Sequence, residues 1–227
     1  MRITHEMIEA QRELFSKPLL VGNALAVKVL TVRNRHFGIL DGVTVPGRTM
    51  VEIDPGRVFG DARHDTTQMC LEAVEQYTQP GMTVLDVGCG TGIQSVTALL
   101  LGAGQATARD IDLAAVKTAE KNAERNDVAG RFSASVGNLV EGITGTYDLI
   151  VANILADPIL ELLESLHELT HPDTVVVLSG VRVDRADEVT AAACRRFEII
   201  KKETRDEWVG YVLRPKAKAK AKAKAKA

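Results

Sequence analysis

Apolar and polar positions along this chain repeat with two different periods, and the switches between them mark out its elements. Over residues 4–16, Met7, Ile8, Gln11, Leu14 and Phe15 fall near helical spacing, which predicts an amphipathic helix stopped by Lys17-Pro18. Residues 24–32, 37–40 and 49–53 are short β-type runs separated by Asp41-Gly42 and Pro46-Gly47, so the first fifty residues predict a helix-plus-hairpin leader. A glycine-containing loop follows over 55–67. Asp65 with Gln68 three residues on reads as a capping box opening a helix to about residue 79, ended by Pro80-Gly81. Strand patterns at 83–87, 105–109, 131–135, 147–153 and 174–179 then alternate with helical patterns at 92–101, 112–126, 158–169 and 184–194. Two last β-runs, 197–201 and 208–213, have no helix between them and read as a hairpin. Such alternation predicts a doubly wound α/β domain with a mostly parallel, seven-stranded sheet containing one antiparallel strand. The expected domains are a leader (1–49), the main domain (50–214) and a tail (215–227).

The stretch Val84-Leu85-Asp86-Val87-Gly88-Cys89-Gly90-Thr91-Gly92 organises that domain. A buried strand ends on an acid, and three alternating glycines turn the chain into a helix. Glycine permits a sharp turn and close approach of a ligand, while the first amides of the helix point into the same cleft. The spacing G-x-G-x-G departs from the dinucleotide fingerprint G-x-G-x-x-G. Asp86 beside the turn would repel a pyrophosphate and suits a ligand carrying an ammonium group. S-adenosylmethionine has such a head, a cationic sulfonium and no phosphate. Asp110 closes the next apolar run, 22 residues after Gly88, where an acid can accept both ribose hydroxyls. Asp86, Gly88, Gly90 and Asp110 are therefore cofactor candidates.

Composition narrows the class. At 227 residues and 45% apolar, the chain supports one large domain with a small appendage, and no apolar run reaches the length of a membrane span. The first ten residues lack an apolar signal-peptide core. Cys70, Cys89 and Cys194 are scattered without metal-ligand spacing and read as reduced thiols of a cytoplasmic protein. The net charge of −2 conceals an asymmetry, since six of the 28 basic residues are lysines of the Lys-Ala tail from Lys216 to Ala227. The remainder carries 22 basic against 30 acidic residues, a net charge of −8. The tail should be disordered, and six ammonium groups make it a candidate contact for RNA or another polyanion.

Ligands of open α/β sheets bind beyond the carboxyl ends of the strands. Those ends carry Asp86, Asp110, Gly137-Asn138 and Asn153. Asn138 can hydrogen-bond an adenine edge or serve as a turn asparagine. Asn153 ends the run Asp148-Leu149-Ile150-Val151-Ala152, where its neutral amide oxygen can hold an amine by its N–H and aim the lone pair; the alternative is a cap for the next helix. His64 can steer or deprotonate an amine, or hydrogen-bond its own loop. Trp208 reads as core ahead of a place in the acceptor pocket, and Asp61 as a turn cap ahead of a group attracting a cationic acceptor.

The sequences Pro55-Gly56-Arg57-Val58-Phe59-Gly60, His64-x-Thr66-Thr67, Asp86 through Ile93, Asp110-Ile111-Asp112, Asn153-Ile154-Leu155-Ala156, Ser179-Gly180 and Glu207-Trp208 together resemble the class I methyltransferases that modify large-subunit ribosomal protein eleven. The resemblance runs over residues 50–213 and implies a Rossmann-like fold, S-adenosylmethionine as methyl donor, and methylation of protein amines on lysine side chains or an N-terminus. By position it matches Thr67, Gly88, Asp110 and Asn153 to cofactor-contacting residues. Two features depart from the family. Its loop usually reads phenylalanine-glycine-threonine-glycine before the histidine, where this chain has Phe59-Gly60-Asp61-Ala62. It also carries a longer N-terminal recruiting domain. The expectation is an N-methyltransferase of a protein or peptide amine, with Asn153 and His64 as catalytic candidates. The alternatives are a methyltransferase of a small amine or specialised peptide, and a catalytically silent cofactor-binding or RNA-associated module.

Overall fold

The computed structural model of the chain describes residues 17–31 and 40–217. The helix expected over 4–16, the end of the β-run at 32, most of the run at 37–40, and the tail from 218 lie outside the described residues.

Strand β1 (Leu19–Val21), which the sequence pattern does not mark, forms an antiparallel hairpin with β2 (Leu25–Val29). Strand β3 (Thr49–Ile53) lies parallel to β2, so the runs read at 24–32 and 49–53 are parallel neighbours and not hairpin arms. Lys28 and Glu52 face each other across this register at 2.7 Å, so the lysine, 5% exposed, is buried with a counter-ion. After β3 come α1 (Asp65–Tyr77), β4 (Thr83–Val87), α2 (Ile93–Leu100), β5 (Gln105–Asp110), α3 (Leu113–Arg125) and β6 (Phe132–Val136). The chain continues through β7 (Tyr147–Asn153), α4 (Ala156–Ser165), β8 (Thr170–Arg182), α5 (Ala186–Ala193), β9 (Phe197–Arg205) and β10 (Trp208–Pro215). The large sheet has the order β6-β5-β4-β7-β8-β10-β9, with β10 antiparallel to both neighbours.

Alternation along the central strands builds the layers. Leu149 and Val151 of β7 join the core under α1, α2 and the small sheet, whereas Ile150 and Ala152 join the opposite core under α4 and α5. β8 repeats the pattern, with Val175 and Val177 on the first face and Val176 and Leu178 on the second. Both faces of the parallel strands are covered, which is why these runs read as continuously apolar.

Among the element ends that differ from the sequence reading, three have a visible cause. The cap of α1 is His64, whose ring nitrogen Nδ1 accepts from Thr66 N, while Gln68 donates to Ala62 O and Arg63 O; Asp65 and Gln68 form no capping box. Helix α4 starts at Ala156, ahead of the Pro158 taken as its first residue, because a proline in the first turn gives up an N–H that would have no intrahelical partner. Strand β8 runs past Gly180 because Val181 and Arg182 pair with Val209 and Trp208.

Two asparagines one turn apart on α3 dock the leader. Asn126 accepts from Glu52 N at 2.9 Å and donates to Glu52 O at 2.7 Å. Asn122 accepts from Asp54 N at 2.9 Å and donates to Asp54 O at 3.2 Å and Thr91 O at 2.9 Å. Their amides take the place of a neighbouring strand along the open edge of β3. The loop that follows, 54–64, is thereby fixed beside the glycine turn.

Candidate active site

The site is assembled around the turn between β4 and α2. Gly88 N and Cys89 N donate to Arg109 O at 2.8 and 2.9 Å, and Gly90 N donates to the Asp110 carboxylate at 2.9 Å. From the other side the loop packs down, with Thr91 N bonded to Phe59 O at 3.1 Å and Thr91 Oγ1 to Gly60 O at 2.7 Å. Gly90 has φ +53, and a Cβ there would lie 2.6 Å from Phe59 O. At Gly90 the close approach that requires glycine therefore comes from the protein's own loop.

A cleft of about 670 Å³ opens at the carboxyl ends of the parallel strands, where the strand order switches between β4 and β7. Of the residues singled out from the sequence, Gly88, Gly90, Asp110, Asn138, Asn153 and His64 line it, and Thr67 and Asp86 do not.

Asp110 uses each carboxylate oxygen once, accepting from Gly90 N and from Asp112 N at 2.9 Å, and each keeps capacity for a further donor. Asn138 donates weakly to Glu161 at 3.3 Å. Asn153 does not cap α4, whose N-cap is Leu155. Its amide instead donates to Thr67 Oγ1 at 3.4 Å. Thr67 is fully buried behind Asn153, and Thr66 is the threonine that lines the cleft. With Nδ2 turned to Thr67, the amide oxygen of Asn153 is the atom left for a ligand.

Asp86 lies beneath the turn and is 1% exposed. One carboxylate oxygen accepts from Ser95 N at 3.3 Å and Ser95 Oγ at 2.9 Å, while the other has no hydrogen-bond partner among the described residues. Burial pushes this carboxyl up to about 7, with the nearby Asp110 carboxylate adding to the shift. Cys89 and Cys70 lie in the same buried region, and burial pushes both thiols up, so neither is an activated nucleophile.

His64 is edge-on to Phe59 and to Trp208, with ring centroids 5.3 and 5.2 Å apart. Nδ1 lies 3.3 Å from Thr66 N and 2.8 Å from Thr66 Oγ1, so this nitrogen is engaged with the first turn of α1. This geometry makes His64 a loop and helix cap, with Nε2 uncommitted among the described residues.

Sequence reasoning missed Trp208. The sequence favours a core position for it, yet it begins β10 at the cleft end of the sheet and lines the opening with Phe59 and Leu155. The signal was available in the hairpin, since a strand antiparallel to β8 starts where β8 ends. Asp61 is the turn residue expected, accepting from Arg63 N at 3.1 Å and pairing with its guanidinium at 2.9 Å. Ala62, where the resemblance has glycine, holds φ +66, so the loop keeps the left-handed backbone at a cost of about 1–2 kcal/mol.

The lining chemistry fits a cationic nucleoside better than a phosphate ester. Among the described residues Arg57 is the one Lys or Arg along the cleft, set against Asp110 and Asp112, and Asp86 lies beneath with an oxygen unpartnered among them. Exposed apolar side chains, Phe59, Ile111 and Leu155, stand at the same opening.

Comparison with known proteins agrees with this architecture. The family model described as ribosomal protein L11 methyltransferase (PrmA) matches residues 17–216. A ribosomal protein L11 methyltransferase from Pelotomaculum thermopropionicum is 37% identical over 204 residues, covering 89% of this chain and 64% of that protein. One from Ralstonia nicotianae is 42% identical over 164 residues, 72% of this chain and 54% of that protein. The chain thus spans between about half and two thirds of these relatives' length. The crystal structure of a ribosomal protein L11 methylase from Lactobacillus delbrueckii subsp. bulgaricus superposes with a TM-score of 0.78 at 28% identity, covering 88% of this chain and 100% of that one.

Proposed function

This chain belongs to the ribosomal protein L11 methyltransferase family, and from that premise we propose that it is an S-adenosylmethionine-dependent N-methyltransferase of a protein amine, a lysine side chain or an N-terminus. When bound, S-adenosylmethionine supplies an electrophilic methyl group on a sulfonium. The chain's own residues do the positioning. Asp110, with both oxygens turned to the cleft end of β5, is the acceptor for a cis-diol, and Asn138 is the polar group for a base edge. The carboxyl groups of Asp110 and Asp112 along the cleft favour a cationic ligand.

The amine end of the cleft is organised by Asn153. Its Oδ1 accepts an N–H of the incoming amine, which fixes the nitrogen lone pair and eases the positive charge that grows on nitrogen during transfer. Thr67 sets which face of the amide is presented. Phe59, Leu155 and Trp208 exclude water and lower the tendency of the amine to hold a proton. His64 braces the aromatic wall through its edge contacts with Phe59 and Trp208, and the amine loses its proton before it attacks.

The observation that carries this reading is the Asn153 amide, tethered through Nδ2 and open at Oδ1 at the end of β7. The test is to incubate the purified chain with S-adenosylmethionine and a lysine peptide with a free N-terminus, with N-acetylated peptide and free lysine as comparators. Release of S-adenosylhomocysteine with methyl on peptide nitrogen is expected. Methyl transfer confined to the free amino acid, or cofactor binding without product, would overturn it.

A further inference from the structure

We propose, resting on the amine-methylating reading above, that lysines of this chain's own Lys-Ala tail are methyl acceptors for its own cleft. The path of β10 carries the inference. It starts at Trp208 on the rim of the cleft and, antiparallel to β8, ends at Pro215 on the opposite edge of the sheet. There Lys216 is tied down, its amide bonded to Arg196 O at 2.9 Å and its Nζ to Cys194 O at 2.6 Å, at the foot of α5. The tail therefore leaves the fold one strand length from the cleft. Eight residues at about 3.4 Å per step make that roughly 24 Å.

Length and sequence fit a return. Eleven residues follow Lys216, and a fully extended chain of that length reaches about 36–40 Å. Spanning roughly 24 Å needs seven or eight residues at about 3.3 Å each, so Lys224 and Lys226 are far enough along the chain from Lys216 to cover it and Lys218 is not. Every tail lysine from Lys218 on lies between alanines, so no bulky neighbour opposes entry between Phe59, Leu155 and Trp208.

The surface between foot and mouth has the complementary charge. Helix α4 begins beside the cleft-lining Leu155 and Pro158 and runs toward the foot, continued by the 3₁₀ turn Leu166–Leu169. Asp157, Glu161, Glu164 and Glu168 follow one another at spacings of four, three and four, and all are exposed on one face. Asp187 and Glu188 of α5 are exposed as well. Arg185 pairs with Asp157 and Glu188, and Arg195 with Glu164, while the exposed Arg196 stands at the foot; Glu161, Glu168 and Asp187 have no ion-pair partner among the described residues.

The step balances with the donor already proposed. A tail ammonium releases a proton to water, its nitrogen lone pair forms the N–C bond, and the sulfonium's S–C bond breaks with the electron pair returning to sulfur. The products are N-methyl-lysine, S-adenosylhomocysteine and one proton.

The full chain is incubated with S-adenosylmethionine and cleaved after glutamate, which releases residues 208–227 with all six tail lysines; a lysine peptide is present in a parallel reaction. Methyl groups on Lys224 and Lys226, at a rate per enzyme independent of enzyme concentration, are expected. A methylated added peptide beside an unmodified 208–227 fragment overturns the tail proposal and leaves the amine-methylating reading standing. Absence of methyl from both, with cofactor binding intact, overturns that reading and the tail proposal with it. Modification centred on Lys218, or a rate that rises with enzyme concentration, overturns transfer within one chain. Docking is read without turnover by carbodiimide coupling in the full chain, where links from Lys222, Lys224 or Lys226 to Asp157 or Glu161 are expected and links confined to other carboxylates contradict the route. Combining Glu164→Gln, Glu168→Gln and Glu188→Gln should slow tail methylation about three- to tenfold, the scale of weak surface electrostatics, with an uncharged added acceptor unaffected.

Discussion

Asn122→Ala isolates the link between the leader and the cleft. Asn122 is fully buried and makes three hydrogen bonds, to Asp54 N, Asp54 O and Thr91 O. A neutral hydrogen bond contributes about 0.5–1.5 kcal/mol net, and a buried group left without a partner costs about 1–3 kcal/mol. Thr91 is completely buried, so its carbonyl is the group least able to recruit water, whereas Asp54 is partly exposed. The expected loss is therefore about 3 kcal/mol, or roughly 6–12 °C in Tm for a chain of this size. Cofactor affinity should fall with it, because the loop released at Asp54 carries Arg57, Phe59 and Gly60 into the cleft. Asn126→Ala is the comparison, since Asn126 is half-buried and can be replaced by water at Glu52. Asn122→Asp should be at least as damaging as the alanine, because it turns an acceptor toward two carbonyls. Chemical denaturation and calorimetry read both quantities. A loss under about 1 kcal/mol for Asn122→Ala, or a larger one for Asn126→Ala, would refute the reasoning.

Three further outcomes follow from the site. Thr67→Val keeps the buried volume but frees the Asn153 amide, and loss of one long hydrogen bond of about 0.5–1 kcal/mol should lower turnover about two- to fivefold at unchanged cofactor affinity; steady-state kinetics beside calorimetry decides it. Asp110→Ala removes the acceptor for a diol and for Gly90 N, and should weaken S-adenosylmethionine binding at least about tenfold by calorimetry. Asp86 is raised by burial to about 7 from an ordinary 3.8, so its folded-state advantage is complete below the lower value and disappears as pH rises through the higher. Relative to Asp86→Asn, the native chain should lose about 2–3 kcal/mol between pH 5 and pH 8, and parallel stability profiles would remove Asp86 as the cause.

The sheet was legible because its signals are local. The central strands carry apolar side chains on both faces, the glycine turn follows directly on β4, and Asp112 caps α3 by accepting from Ala114 N at 2.8 Å. The positions of Asp110 and Asn153 at the cleft followed from counting to the ends of strands. What escaped depended on contacts distant in sequence. Asn122 and Asn126 are ordinary polar residues of an amphipathic helix until β3 is placed alongside. Thr67 and Thr66 are equivalent by composition, and only the packing of α1 against β7 turns one to Asn153 and the other to the cleft. Asp86 read as a ligand-facing acid because it closes a strand, but the pleat directs it under the turn to Ser95. Trp208 read as core because the direction of β10 had not been used to locate its first residue.

Asn153→Ala tests the central claim most directly, with cofactor binding by calorimetry and turnover on a lysine peptide measured in the same preparation. A group that acts mainly on the developing charge affects rate rather than ground-state affinity. The predicted result is S-adenosylmethionine affinity within about tenfold of the native chain and turnover reduced by about two decades. A folded variant with near-native turnover, or one whose loss lies wholly in cofactor affinity, would contradict the assignment of Asn153 Oδ1 as the group that aligns the amine.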